Sequence, residues 1–192
     1  MKQALPLLLV VLLLAGCVPP PARVDNPRTE AQDKSYTIDL PVGWIRHIAQ
    51  DGTLAASRDG FALQTIGIIH LGNDKAFPKS KKAASDTMLP SELAELQIAE
   101  MKLETEQMAA LKVIENEPVL LGGRDGFRVR TSYLTQRGLE IHRVTYGVAD
   151  KSGYYRLEYI SPKLHYFDVT YPDFRKSIDS FRIATADRTA AK

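Results

Sequence analysis

Cys17 is the only cysteine in 192 residues, and it directly follows an apolar run. A lone thiol cannot close a disulfide within its own chain, so the chemistry open to it is that of a nucleophile or an acyl acceptor. The other chemically capable side chains are scattered. His47, His70, His142 and His165 are dispersed, and none pairs at the i,i+3 or i,i+4 spacing of helical metal ligands. Asp51, Asp59 and Asp125 each precede glycine, where a carboxylate serves its own turn first. The chain has no G-x-S-x-G, H-E-x-x-H, P-loop or dinucleotide glycine fingerprint. No catalytic residue, cofactor or metal is therefore expected, and a hydrolase without a recognisable motif is the weakest reading.

What surrounds Cys17 gives the thiol its chemistry. Lys2 precedes an apolar stretch from Ala4 to Ala15, interrupted only by Pro6. A dozen apolar residues are too few to cross a hydrocarbon core of about 30 Å, and they suit a secretory signal. The ending Leu14-Ala15-Gly16-Cys17 resembles the bacterial lipobox. That resemblance implies cleavage between Gly16 and Cys17, an acylated Cys17 and a mature chain held to a membrane by lipid. Val18 occupies the position where enterobacterial inner-membrane lipoproteins carry aspartate, which points to the outer membrane, facing the periplasm. Residues 1–16 are expected to be the signal peptide. Residues 17–34 contain four prolines and frequent charge, and are expected to form a flexible tether reaching up to about 50 Å.

The mature part fits one domain, expected over residues 35–185, with a disordered tail at 186–192. Removing residues 1–16 takes away only Lys2, leaving 24 Lys and Arg against 23 Asp and Glu. That balance argues against a nucleic-acid partner.

Strand and turn signals fill most of the domain. Tyr36–Leu40 alternates and ends at Pro41-Val42-Gly43, and Trp44–Ile48 resumes as a strand whose tryptophan should enter the core. Further strands are expected at Thr53–Ser57 and Phe61–Leu71. A polar loop follows through Lys75–Lys82, where Phe77 among lysines is either a membrane wedge or, as the commoner explanation, part of a solvated loop. Pro90 to about Ala110 reads as a helix, with Ala94, Ile98, Met101 and Met108 on one stripe. Leu111–Leu121 contains Pro118 and reads as irregular or an edge. Phe127–Leu134, Leu139–Ala149 and Tyr154–Ile160 follow as hairpin-linked strands, and a last helix begins near Pro172. Strands on both sides of one long helix give an α+β fold with an antiparallel sheet.

Pairing Leu134 with Leu139 and Ala149 with Tyr154 brings Arg128, Arg130, Arg143 and Arg156 onto one face, with Arg130 opposite Arg143. Like charges so placed repel unless acids separate them. The face is thus either a recognition surface for an acidic partner or one neutralised internally, by Glu158 or by Glu100 and Glu104 of the helix.

Tyr36-Thr37-Ile38-Asp39-Leu40-Pro41-Val42-Gly43-Trp44 resembles the opening of the PsbP/Mog superfamily. Phe174-Arg175-Lys176-Ser177-Ile178-Asp179-Ser180-Phe181 resembles its terminal helix. The resemblance implies an antiparallel sheet between helices and a binding or assembly role, because the family has no catalytic residues to carry over. The expected function is a membrane-anchored, non-catalytic envelope lipoprotein that binds or scaffolds another envelope protein. A carrier of small ligands or lipids is the alternative.

Overall fold

The computed structural model describes residues 20–104 and 109–184; the expected signal peptide, Cys17 and the expected tail lie outside these. Its centre is one eight-stranded antiparallel sheet in the order β1-β4-β5-β6-β10-β9-β8-β7. These strands are β1 (Ala22–Arg23), β4 (Ile45–Ile48), β5 (Leu54–Ser57), β6 (Thr65–Leu71), β7 (Ala109–Leu121), β8 (Arg124–Leu134), β9 (Glu140–Asp150) and β10 (Gly153–Pro162). A smaller sheet joins β2 (Arg28–Glu30), β3 (Tyr36–Asp39) and β11 (Arg182–Ile183), with β3 in the middle. The α+β fold with a helix on each face is as the sequence implied.

Each face of the large sheet buries its own apolar layer. Helix α1 (Pro90–Glu104) covers one face, where Leu93, Ala94 and Met101 meet Phe127, Val129 and Tyr154. Helix α2 (Asp168–Ser180) and the small sheet cover the other. There Phe174 and Phe181 join Tyr36, Ile38 and Trp44 against Ile66, Val144, Tyr155, Leu157 and Tyr159. Trp44, 2% exposed, enters this core as its place after the Pro-Val-Gly turn requires. Alternation sends Tyr155 and Tyr159 to the α2 face and Tyr154 to the α1 face, and all three are fully buried.

Several boundaries differ from the sequence reading. Helix α1 ends at Glu104 and the chain is a strand by Ala109, so the helix does not reach Ala110; Met108 lies outside the described residues. The strand expected from Phe61 begins at Thr65, because residues 61–63 turn. β7 is an edge strand, with Pro118 on it and two register shifts against β8.

The expected tether is a larger correction. Val24 and Thr29 are buried, β1 pairs with β4 and β2 pairs with β3. Residues 22–34 therefore belong to the fold. Their charges fit because both strands lie at sheet edges, where solvated side chains cost little, and Pro27, between the strands, accepts the Leu40 N–H through its carbonyl (2.8 Å).

Candidate functional site

The β8–β9 hairpin decides where the four arginines go. Thr135 N–H donates to Leu139 O (2.9 Å) and Gly138 N–H donates to Thr135 O (2.9 Å). Gly138, at φ 77°, takes the left-handed position that a three-residue hairpin loop with a bulge demands. Leu134 consequently faces Glu140 rather than Leu139. A one-residue slip in pairing turns a strand over. Arg130 thus lies opposite Val144, and Arg143 opposite Thr131. Arg128 and Arg130 point to the α2 face, while Arg143 and Arg156 point to the α1 face beside Glu158. The single arginine face is corrected to two separate clusters.

On the α1 face two arginines and two glutamates close a neutral square. Arg143 donates through Nε and Nη2 to Glu158 Oε2 at 3.0 and 2.5 Å, and through Nη1 to Glu104 Oε2 at 2.8 Å. Arg156 Nη1 donates to the other oxygen of Glu104 at 3.2 Å. Arg143 is 6% exposed. Burial alone would raise the Glu158 carboxyl, but Arg143 and Arg156 hold it below the usual range. Arg143 is held above its ordinary value by the same pairing, against its own burial. Glu104 and Glu158 are thus the internal counter-ions that the sequence allowed. Glu100, fully buried, does a different job: it accepts the backbone N–H groups of Lys79 (2.6 Å) and Ser80 (2.8 Å).

That clamp fixes the lysine-rich loop against α1. Phe77 is fully buried, 5.0 Å from the Tyr154 ring, so it cannot act as a membrane wedge.

On the α2 face, Arg128 pairs with Glu115 and with Glu117 (3.3 Å) of β7. Arg130 Nη1 reaches Glu115 at 3.4 Å and its guanidinium carbon sits 4.7 Å from the Phe167 ring centre. Arg130 Nη2 donates to His142 Nδ1 at 3.0 Å, which leaves Nε2 to donate to Glu140 Oε1 at 3.2 Å. His142 is therefore the neutral Nε2–H tautomer. Burial pushes its pKa down, and Arg130 adds to this against the opposing bond to Glu140. Glu140 also meets Lys163 (3.2 Å). Burial pushes the nearby Tyr146 hydroxyl up to about 12.

The sequence reading missed Glu115, Glu117 and Glu140. The signal was present: Glu115-x-Glu117 has the same spacing as Arg128-x-Arg130, as cross-strand partners should. His70 was also underread. Its Nδ1 is 2.7 Å from Asp33 Oδ2 and its ring stacks on Tyr155 at 4.3 Å, tying the N-terminal segment to the sheet. Among the described residues, no group of three or more His, Cys, Asp or Glu is arranged to hold a metal.

The fold recurs in solved proteins. The chain superposes on cyanobacterial PsbP (CyanoP) from Synechocystis with a TM-score of 0.59 and 12% identity, covering 82% of this chain and 91% of that one. It superposes on the Ran-binding protein Mog1p of Saccharomyces cerevisiae with a TM-score of 0.57 and 10% identity, covering 86% and 98%. No family model and no curated protein matches the sequence. The architecture is PsbP/Mog-like, as the motifs at Trp44 and Phe181 implied.

Proposed function

We propose that the chain is a non-catalytic binding module of a cell envelope, tethered to a membrane, most simply the outer one, through acylated Cys17. The observation that supports it best is the fold shared with Mog1p, a Ran-binding protein, on a chain whose start reads as a lipoprotein leader. The charged groups agree with a binding role. His142 and His70 are each engaged by a charged neighbour, and the arginines are spent on internal glutamates. These groups rigidify a scaffold and leave its loops and edges for recognition.

The carrier reading draws less support. Clefts of about 320 and 260 Å³ open onto the surface beside charged groups such as Asp39, Asp173 and Lys176, or Asp33, Asp51 and His70, and a more apolar one of about 290 Å³, beside Leu89, Pro90 and Pro118, is open as well. A lipid carrier needs an apolar enclosure.

Crosslinking the intact protein in its own cells, followed by mass spectrometry, tests the proposal. One envelope protein captured reproducibly, and lost when the domain is replaced but the anchor kept, is the expected result. Capture of lipid or of a small metabolite alone would overturn it.

A further inference from the structure

Lys75, Lys79, Lys81 and Lys82 fall within eight residues, all four are exposed, and Asp74 is the single acid in residues 72–85. Among the described residues, none of these lysines enters an ion pair. Lys163 and Lys176, elsewhere, each meet a carboxylate, Glu140 and Asp173. The lysines do not swing on a loose loop. Glu100 accepts the N–H groups of Lys79 and Ser80, and Phe77, itself buried, forms a β-bridge with Lys82. Asn73 pins both ends of the loop: its Nδ2 donates to Asp150 O (2.8 Å) and its carbonyl accepts Ala84 N–H (2.8 Å). A fully buried carboxylate thus holds in place a row of cations that neutralise no acid of the described fold.

This loop lies at the end of the sheet from which the anchor arrives. β1 runs antiparallel to β4, with Ala22 opposite Arg46, so the chain reaches Ala22 from the side of the turn at residues 50–52. Ile48 pairs with Leu54 and Leu54 with Ile68, which sets that turn beside the last residues of β6, just before the loop. β1 and β6 are three strand spacings apart in one sheet, about 14 Å. Five peptide steps join Cys17 to Ala22, or about 18 Å fully extended. Lys151, in the turn between β9 and β10 at the same end, adds a fifth exposed cation.

We infer that this loop seats the domain on the anionic headgroups of the bilayer that holds Cys17. Lysines clustered beside a lipid anchor have the chemistry of that contact, each one strengthening partition onto anionic lipid about fivefold. Phe77 is buried and inserts nothing, so the contact is one of charge alone and salt screens it. The anchored reading of Cys17 supplies the membrane's position in this argument, and the loop supplies the charge.

Two measurements test it on the chain from residue 17 onward, which keeps every described residue. The free chain is first sedimented with phosphatidylcholine vesicles, with and without phosphatidylglycerol. Binding should require the anionic lipid and fall steeply with salt. It should drop about a hundredfold in Lys75→Gln with Lys79→Gln and Lys82→Gln, at about fivefold for each lysine. Lys81 is kept because its φ of 55° lies in the left-handed region, and an unchanged melting temperature shows that the variant folds. The wild-type chain is then coupled through its single thiol to maleimide-headgroup lipid in the same vesicles, and lysine acylation is mapped by mass spectrometry. The four loop lysines should label several-fold more slowly on the anionic vesicles, while Lys163, beyond the other end of β10, labels equally on both. Equal labelling of the loop on both vesicles, or equal protection of Lys163, overturns the proposal, as does a folded triple variant that binds like the wild type. Loop lysines open on both vesicles yet blocked in intact cells overturn it in favour of an acidic protein. Failure here leaves acylation untouched, and an unacylated Cys17 in cells leaves the vesicle result standing.

Discussion

Arg130 and Arg143 lie on opposite faces of the large sheet, although simple pairing of their strands sets them face to face. Gly138 and the extra residue of the hairpin loop separate them, and each finds its own acids: Glu115 for Arg130, Glu104 and Glu158 for Arg143. A double-mutant cycle measures this directly. Arg130→Met and Arg143→Met share no partner and should add to within about 0.5 kcal/mol, whereas Arg143→Met and Glu158→Gln should couple by about 0.5–3 kcal/mol. Strong coupling between the two arginines would contradict the register.

Breaking one corner of the α1-face square should be costly. Arg143→Met leaves Glu158 buried without its main counter-ion, and losing one partner of a buried pair typically costs about 3–5 kcal/mol. Chemical denaturation should show that loss, with Arg143→Met plus Glu158→Leu regaining much of it. An unchanged midpoint for the single variant would mean the square is solvated.

Trp44→Ala should be at least as damaging. The side chain is 2% exposed within the α2-face core, and removing a buried tryptophan costs about 3–5 kcal/mol. Calorimetry should show a melting temperature lowered by many degrees, while a shift of a degree or two would place the indole in solvent.

Acid should destabilise the domain in two stages. The pKa of His142 is lowered in the fold, so the unfolded chain takes up its proton first, and stability begins to fall as pH drops below about 6.5. Glu158 is also lowered, so its contribution is full above the unfolded carboxyl value of about 4.3 and is lost as pH falls through the folded one. His142→Gln should remove the first stage and keep the second. A His142→Gln profile identical to the wild type would show that another group titrates there.

Much of this was legible in the sequence, for reasons that mark where legibility ends. Trp44 declared itself because the Pro-Val-Gly turn before it fixes where its strand begins and which way its side chain points. The arginine clusters did not, because the register across β8 and β9 turns on a single loop residue, and one position inverts a face. Residues 22–34 looked like a tether because composition reports the lack of a private core. It cannot report that Val24 and Thr29 borrow one from the neighbouring strands. Phe77 looked like a wedge because nothing local reveals that Glu100, twenty residues on, ties its loop down.

The central claim, that this PsbP/Mog-like domain works from a lipid anchor, comes down to one covalent bond. The protein should be purified from its own cells and its N-terminal peptide weighed by mass spectrometry. The account predicts a chain beginning at Cys17, with that residue carrying the mass of acyl chains. A chain that begins elsewhere, or an unmodified Cys17, would contradict it.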